Sequence, residues 1–116
     1  MHHITEDIVS MVNYDDNNVQ SRILAKNDNN LALLIAIKKN QMMAEHTSPV
    51  DAFLYVIEGE VEFKVYKEKT ETFEIKKGEI FYFEKEEKHT VFGKKDSKIL
   101  VVRMWKTPHY EAFYLS

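Results

Sequence analysis

Cysteine is absent from the 116 residues, so there is no disulfide framework, no thiolate nucleophile and no cysteine-built metal site. No apolar run approaches the roughly 20 residues that a helix needs to cross a bilayer. The amino terminus, Met1-His-His-Ile-Thr-Glu-Asp7, lacks the basic and then apolar layout of a secretory signal. A coherent cationic face is missing as well. The net charge is −3, and the charged runs at 84–88 and 94–98 mix both signs. A nucleic-acid surface needs clustered Lys and Arg to displace counterions from phosphate. There is no long amphipathic helix, heptad, internal repeat or linker. Together these absences leave a soluble, cytoplasmic protein with neither nucleic acid nor membrane as a partner. His2 and His3 read as a tag remnant or a solvated tail.

What is present is a globular composition, 44% hydrophobic and 12% aromatic, in a chain long enough to bury a core as one domain over 1–116. Residues 5–8 fit a cap for a short helical turn carrying Ile8, Val9 and Val12. After the polar loop at 15–18, strand follows strand. Residues 21–25 are short and moderately apolar, and 27–30 make a polar turn. Residues 31–37 and 53–57 are almost continuously apolar, as strands buried on both faces are. Asn40 marks a turn, since asparagine tolerates positive φ. Val61, Phe63 and Val65 alternate with charges, the mark of a half-exposed strand. Residues 73–75, 80–83, 89–92 and 99–105 supply further strands. Phe53, Tyr55, Phe63, Phe81, Phe83 and Phe92, with Met42, Met43 and Met104, read as core. The short connections suit antiparallel hairpins and not crossover helices. An all-β antiparallel barrel or sandwich follows.

Two histidines stand out by their spacing. His46 lies six residues past Asn40 and thirteen before Gly59, and His89 lies eleven past Gly78. This arrangement resembles the two motifs of the cupin superfamily, over residues 21–104. Asn40 takes the place of the first motif's opening glycine, His46 its first histidine, Ser48 its second histidine and Ala52 its glutamate. Gly59 closes that motif. Gly78 and His89 match the second, where Glu84 replaces a proline, Glu86 a glycine and Gly93 an asparagine. The resemblance implies a single-domain antiparallel double-stranded β-helix, a jelly-roll barrel with both imidazoles facing one interior.

It also implies a ligand set of three imidazoles and a carboxylate, which suits a divalent transition metal. Of those four, this chain keeps His46 and His89. The expected cofactor is therefore a divalent ion held weakly or not at all, unless a bulge turns Asp51 or Glu45 inward. Strict alternation argues against that rescue, because neighbours of inward residues point outward. The two histidines read equally as polar lining, bonded to each other, to water or to tyrosine. A ligand pocket is expected from His46, Ser48, Ala52, Tyr55, Phe81 and His89, with Tyr82 a further hydroxyl and His109 on the surface. A nucleophile built on Ser48, His46 and Asp51 lacks an evident orienting partner.

Two functions fit. One is a small-molecule-binding barrel with a reduced or absent metal site. The alternative is a metal-dependent enzyme of the dioxygenase, isomerase or lyase type, and catalysis itself is undecided at this level. The apolar ends, Ile8, Val9 and Val12 on one side and Tyr110, Phe113, Tyr114 and Leu115 on the other, suggest a homodimer. Tails folded back over their own barrel would satisfy the same residues.

Overall fold

Val61, Phe63 and Val65 are buried while Glu60, Glu62 and Lys64 between them are less so. Successive residues of a strand face opposite sides, so such a segment must lie with one face on a core. The computed structural model describes residues 6–104. A 3-10 turn at Ile8–Met11 precedes nine strands: β1 (Gln20–Lys26), β2 (Asn30–Ile37), β3 (Met42–His46), β4 (Ala52–Glu58), β5 (Glu60–Tyr66), β6 (Thr70–Lys76), β7 (Ile80–Phe83), β8 (His89–Gly93) and β9 (Ser97–Met104). The paired strands are antiparallel. They form a five-stranded sheet ordered β1-β2-β9-β4-β7 and a four-stranded sheet ordered β3-β8-β5-β6. This is the expected jelly-roll barrel. No described helix is long and apolar enough to cross a membrane.

The turns follow from their residues. Asn27 Oδ1 accepts from the backbone N–H groups of Asn29 and Asn30 at 2.8 and 2.9 Å, closing the β1–β2 hairpin. Gly59 sits at φ +85°, and a Cβ there would lie 2.3 Å from the Asp96 carbonyl oxygen. Only glycine fits that close approach. Asn40 has φ +73° and Glu86 φ +66°. At both positions the family pattern has a glycine that this chain lacks, whereas Gly59 and Gly78 are kept. The backbone keeps the left-handed geometry although the glycines are gone, and at Glu86 the side chain bears the strain.

Two apolar clusters result. Inside the barrel, Ile35, Ile37, Leu54, Val56, Val61, Phe63, Val91, Ile99 and Val101 pack together. On the outer face of the five-stranded sheet, Met11 and Val12 cover Leu34 and Ala36, with Tyr14 and Leu100 at the margin. The even-numbered face of β2 is therefore dry because the amino-terminal segment lies on it. That explains why its second half is buried on both faces. Asp7 caps the 3-10 turn by accepting from the Val9 N–H at 3.1 Å. The apolar residues near this end are thus covered within the chain itself, whereas Tyr110, Phe113, Tyr114 and Leu115 lie outside the described residues, as do Trp105 and His109.

Three expectations need correction. β4 is not buried on both faces: its burial alternates, and Tyr55 is exposed. Leu54 and Val56 point inward, so the residue between them cannot. Met42 and Met104 are exposed too, each on the outward side of its strand. Hydrophobic runs conceal which side faces in, because outward apolar residues are common on folded surfaces.

Candidate functional site

β3 and β8 pair with His46 opposite His89. Their rings meet edge to face with centroids 4.2 Å apart. Distance in sequence is cancelled by the ladder register. Phe63 stacks on the His89 ring at 4.8 Å, and Phe83 packs beside it at 4.9 Å. His89 is buried and His46 half-buried. Each imidazole is oriented by a backbone carbonyl two residues earlier. His46 Nδ1 lies 2.7 Å from the Ala44 oxygen and His89 Nδ1 lies 2.9 Å from the Glu87 oxygen. A carbonyl only accepts, so Nδ1–H donates in both, and a neutral ring then carries its lone pair on Nε2. Burial pushes the His89 pKa below the ordinary histidine value, reinforced by the nearby positive charge of Arg103 and by His46. Its bond to Glu87 opposes that shift without reversing it.

The histidines line an interior cavity of about 50 Å³ with Ser48, Leu54, Phe63, Phe83 and Arg103. At its mouth Ile35, Met43, His46 and Arg103 also line an outer groove of about 780 Å³. The groove is the larger space, but the buried polar groups converge in the smaller one, and the two share these four wall residues. Ser48 is almost fully buried, and its hydroxyl donates to the Val50 carbonyl at 2.6 Å. Ala52 belongs to the core beside the cavity and offers no donor atom. Phe81 lies behind the wall, packed on Phe63 and Phe73 with centroids 4.7 and 4.9 Å away. Phe83 takes the lining position instead. Tyr55 is outside the cavity on the opposite face of β4, and Tyr82 is likewise on the exposed side of β7.

Sequence reasoning passed over Arg103. Ile99 and Val101 face the interior, and period two continues that rail to Arg103. Ala52 of β4 and Arg103 stand opposite in the ladder. The signal was the alternation itself, hidden because Leu100 and Val102 make the strand apolar on both sides. Among the described residues, Arg103 Nε is a buried side-chain polar atom with no hydrogen-bond partner.

The donor set fits a divalent ion poorly. Among the described residues, no three His, Asp or Glu side chains converge. Asp51 accepts from the Lys85 N–H at 2.9 Å, and Glu45 is exposed beside Lys88. Neither carboxylate joins the histidines. The one formal charge on the cavity wall is the positive guanidinium, which opposes a dication. Two imidazoles without an anion leave such an ion poorly compensated.

The Cupin domain family matches residues 33–104 of the chain. No curated protein matches it. Among solved structures, a conserved protein of unknown function from Streptococcus pyogenes is similar at 20% identity and a TM-score of 0.80, covering 92% of this chain and 91% of that one. A cupin superfamily protein from Desulfitobacterium hafniense is similar at 16% identity and 0.80, covering 91% and 94%. Oxalate decarboxylase of Bacillus subtilis is similar at 14% and 0.71, over 89% of this chain but 30% of its own. At these identities the likeness is one of fold.

Proposed function

The chain belongs to the cupin-domain family, and from that premise we propose that it is a small-molecule-binding barrel working without a tightly held metal ion. The observation that carries this reading is the convergence of His46, His89 and Arg103 on an interior cavity that shares its wall with an outer groove. Polar groups aimed into a concave, mostly apolar space are the general form of a ligand site. Both Nε2 atoms can accept a hydrogen bond, the guanidinium can donate several, and Phe63 and Phe83 supply a flat apolar wall.

The alternative, a metal-dependent enzyme, would need a third and fourth ligand. Ser48 is committed to the Val50 carbonyl and Ala52 has no donor. The Bacillus subtilis oxalate decarboxylase, by contrast, holds Mn(II) centres. Sharing its fold does not supply its donor set.

A thermal-shift screen with a library of small polar fragments, paired with elemental analysis after dialysis, tests the reading. Ligands of the cavity should raise the unfolding temperature of the wild type and do so less in His46→Ala. Metal should be far below one equivalent. Stoichiometric metal that survives dialysis would favour the enzyme reading, and a screen in which no fragment acts through His46 would remove the binding one.

A further inference from the structure

The cavity is unbalanced in charge. Its polar lining consists of two imidazoles, a guanidinium and a committed serine, with no carboxylate among them. Guanidinium stays charged at every accessible pH, and desolvating it without a partner is unfavourable. Surface arginines avoid this by reaching water. Arg103 does not fully do so, because its position on the inward rail of β9 holds Nε in a dry place with nothing to donate to. Of the nearby carboxylates, Asp51 accepts from the Lys85 N–H, and Glu45 lines the outer groove, exposed beside Lys88, and not the interior cavity. Among the described residues nothing answers that donor, and an anion taken from solution would.

The histidines narrow its class. Their Nδ1–H groups are held by the Ala44 and Glu87 carbonyls, so each neutral ring presents a lone pair and not a proton. A bare anion placed among them would meet guanidinium donors on one side and lone pairs on the other. A ligand that carries a hydroxyl next to its carboxylate satisfies both. The interior, about 50 Å³, has room for one such polar end, since a water claims roughly 30 Å³ of liquid. The rest of the molecule would lie in the groove.

We propose that the cavity binds a small hydroxycarboxylate, its carboxylate on Arg103 and its hydroxyl donating to Nε2 of His46 or His89. This rests on the reading of the cavity as a ligand site, and it adds the anion anchor and the hydroxyl requirement.

Calorimetric titration of the full chain with lactate, propionate and lactamide separates the two requirements. Lactate has both groups, propionate lacks the hydroxyl and lactamide lacks the charge. Lactate should bind roughly ten- to a hundredfold more tightly than lactamide, the usual contribution of a charge-assisted hydrogen bond, and about tenfold more tightly than propionate. Arg103→Gln should erase the preference for lactate over lactamide, and Arg103→Lys should restore part of it. Thermal unfolding of each variant confirms that it is folded, and the three-ligand comparison on the wild type stands without any variant. Lactamide binding as tightly as lactate, with the loss of both in His46→Ala, would overturn the anion anchor while leaving the cavity a ligand site. Propionate matching lactate would overturn the hydroxyl requirement. If none of the three binds, the inference fails, and the fragment screen decides separately whether the cavity takes any ligand.

Discussion

Lys98 and Arg103 lie on the same strand, five residues apart and on opposite faces of the sheet, and the fold treats them in opposite ways. Lys98 is 7% exposed. Its ammonium donates to the Val9 carbonyl and lies 5.0 Å from the centre of the Tyr14 ring. Tyr14 in turn donates to Glu58 at 2.6 Å, and burial with that carboxylate raises the tyrosine pKa well above its ordinary value. Here a buried cation has a carbonyl, an aromatic face and a nearby acid. It fastens the amino-terminal segment over Leu34 and Ala36. Arg103 is half-buried, and its Nε is left without a partner among the described residues. A buried charge compensated within the chain fastens structure, whereas one with a buried donor left open beside a cavity is what the proposed ligand would engage.

Substitution of Lys98 should have the largest effect. Lys98→Met leaves the Val9 carbonyl without its donor and the Tyr14 ring without its cation, and should lower the unfolding free energy by about 2–3 kcal/mol, measured by urea denaturation. An unchanged midpoint would show that the outer cluster holds the segment without the clamp. Arg103→Met should act with the opposite sign. Removing a half-buried cation whose Nε is buried without a partner should raise ligand-free stability by about 1 kcal/mol in the same assay and weaken anion binding. Destabilisation of several kcal/mol would mean that Arg103 is a structural cation like Lys98.

The site region carries a second uncompensated strain at Glu86, whose side chain is exposed and whose φ is +66°. Glu86→Gly should add about 0.5–1 kcal/mol, since only the backbone preference changes. A loss would assign the glutamate side chain a stabilising role that outweighs the strain.

The pH dependence should give the smallest effect. Burial, His46 and Arg103 hold the folded pKa of His89 below the ordinary 6.5, against the pull of Glu87. The unfolded chain therefore takes up this proton first as the medium is acidified. The contribution of His89 is complete above 6.5 and is lost as pH falls through that value toward the lowered folded pKa. Stability measured between pH 7.5 and 5 should decline more steeply for the wild type than for His89→Gln. Parallel curves would place the titration elsewhere.

Much of this architecture was legible in the residues. Alternation at Val61, Phe63 and Val65, the asparagine turn at 27–30 and the positive φ at Asn40 each follow from local chemistry. The meeting of His46 and His89 was legible through motif spacing. Phe81 does face inward but lies behind Phe63, while Tyr55 and Arg103 share another cause. In an apolar strand a period of two does not say which alternate set faces inward, and one step of error exchanges the whole lining. Arg103 was hidden a second time, because a charged residue at a strand end is ordinarily solvated.

By itself, the sequence determined the strands, their turns and the family. It also determined what the site lacks, since Ser48 and Ala52 stand where a second imidazole and a carboxylate would be. Those properties depend on residue type and on neighbours a few positions away. Tertiary structure alone decided that the amino-terminal segment dries one face of β2, that Lys98 is compensated and that Arg103 Nε has no partner among the described residues. The fate of a buried charge depends on what distant strands and segments bring within a few ångströms of it, and no pattern along β9 records that.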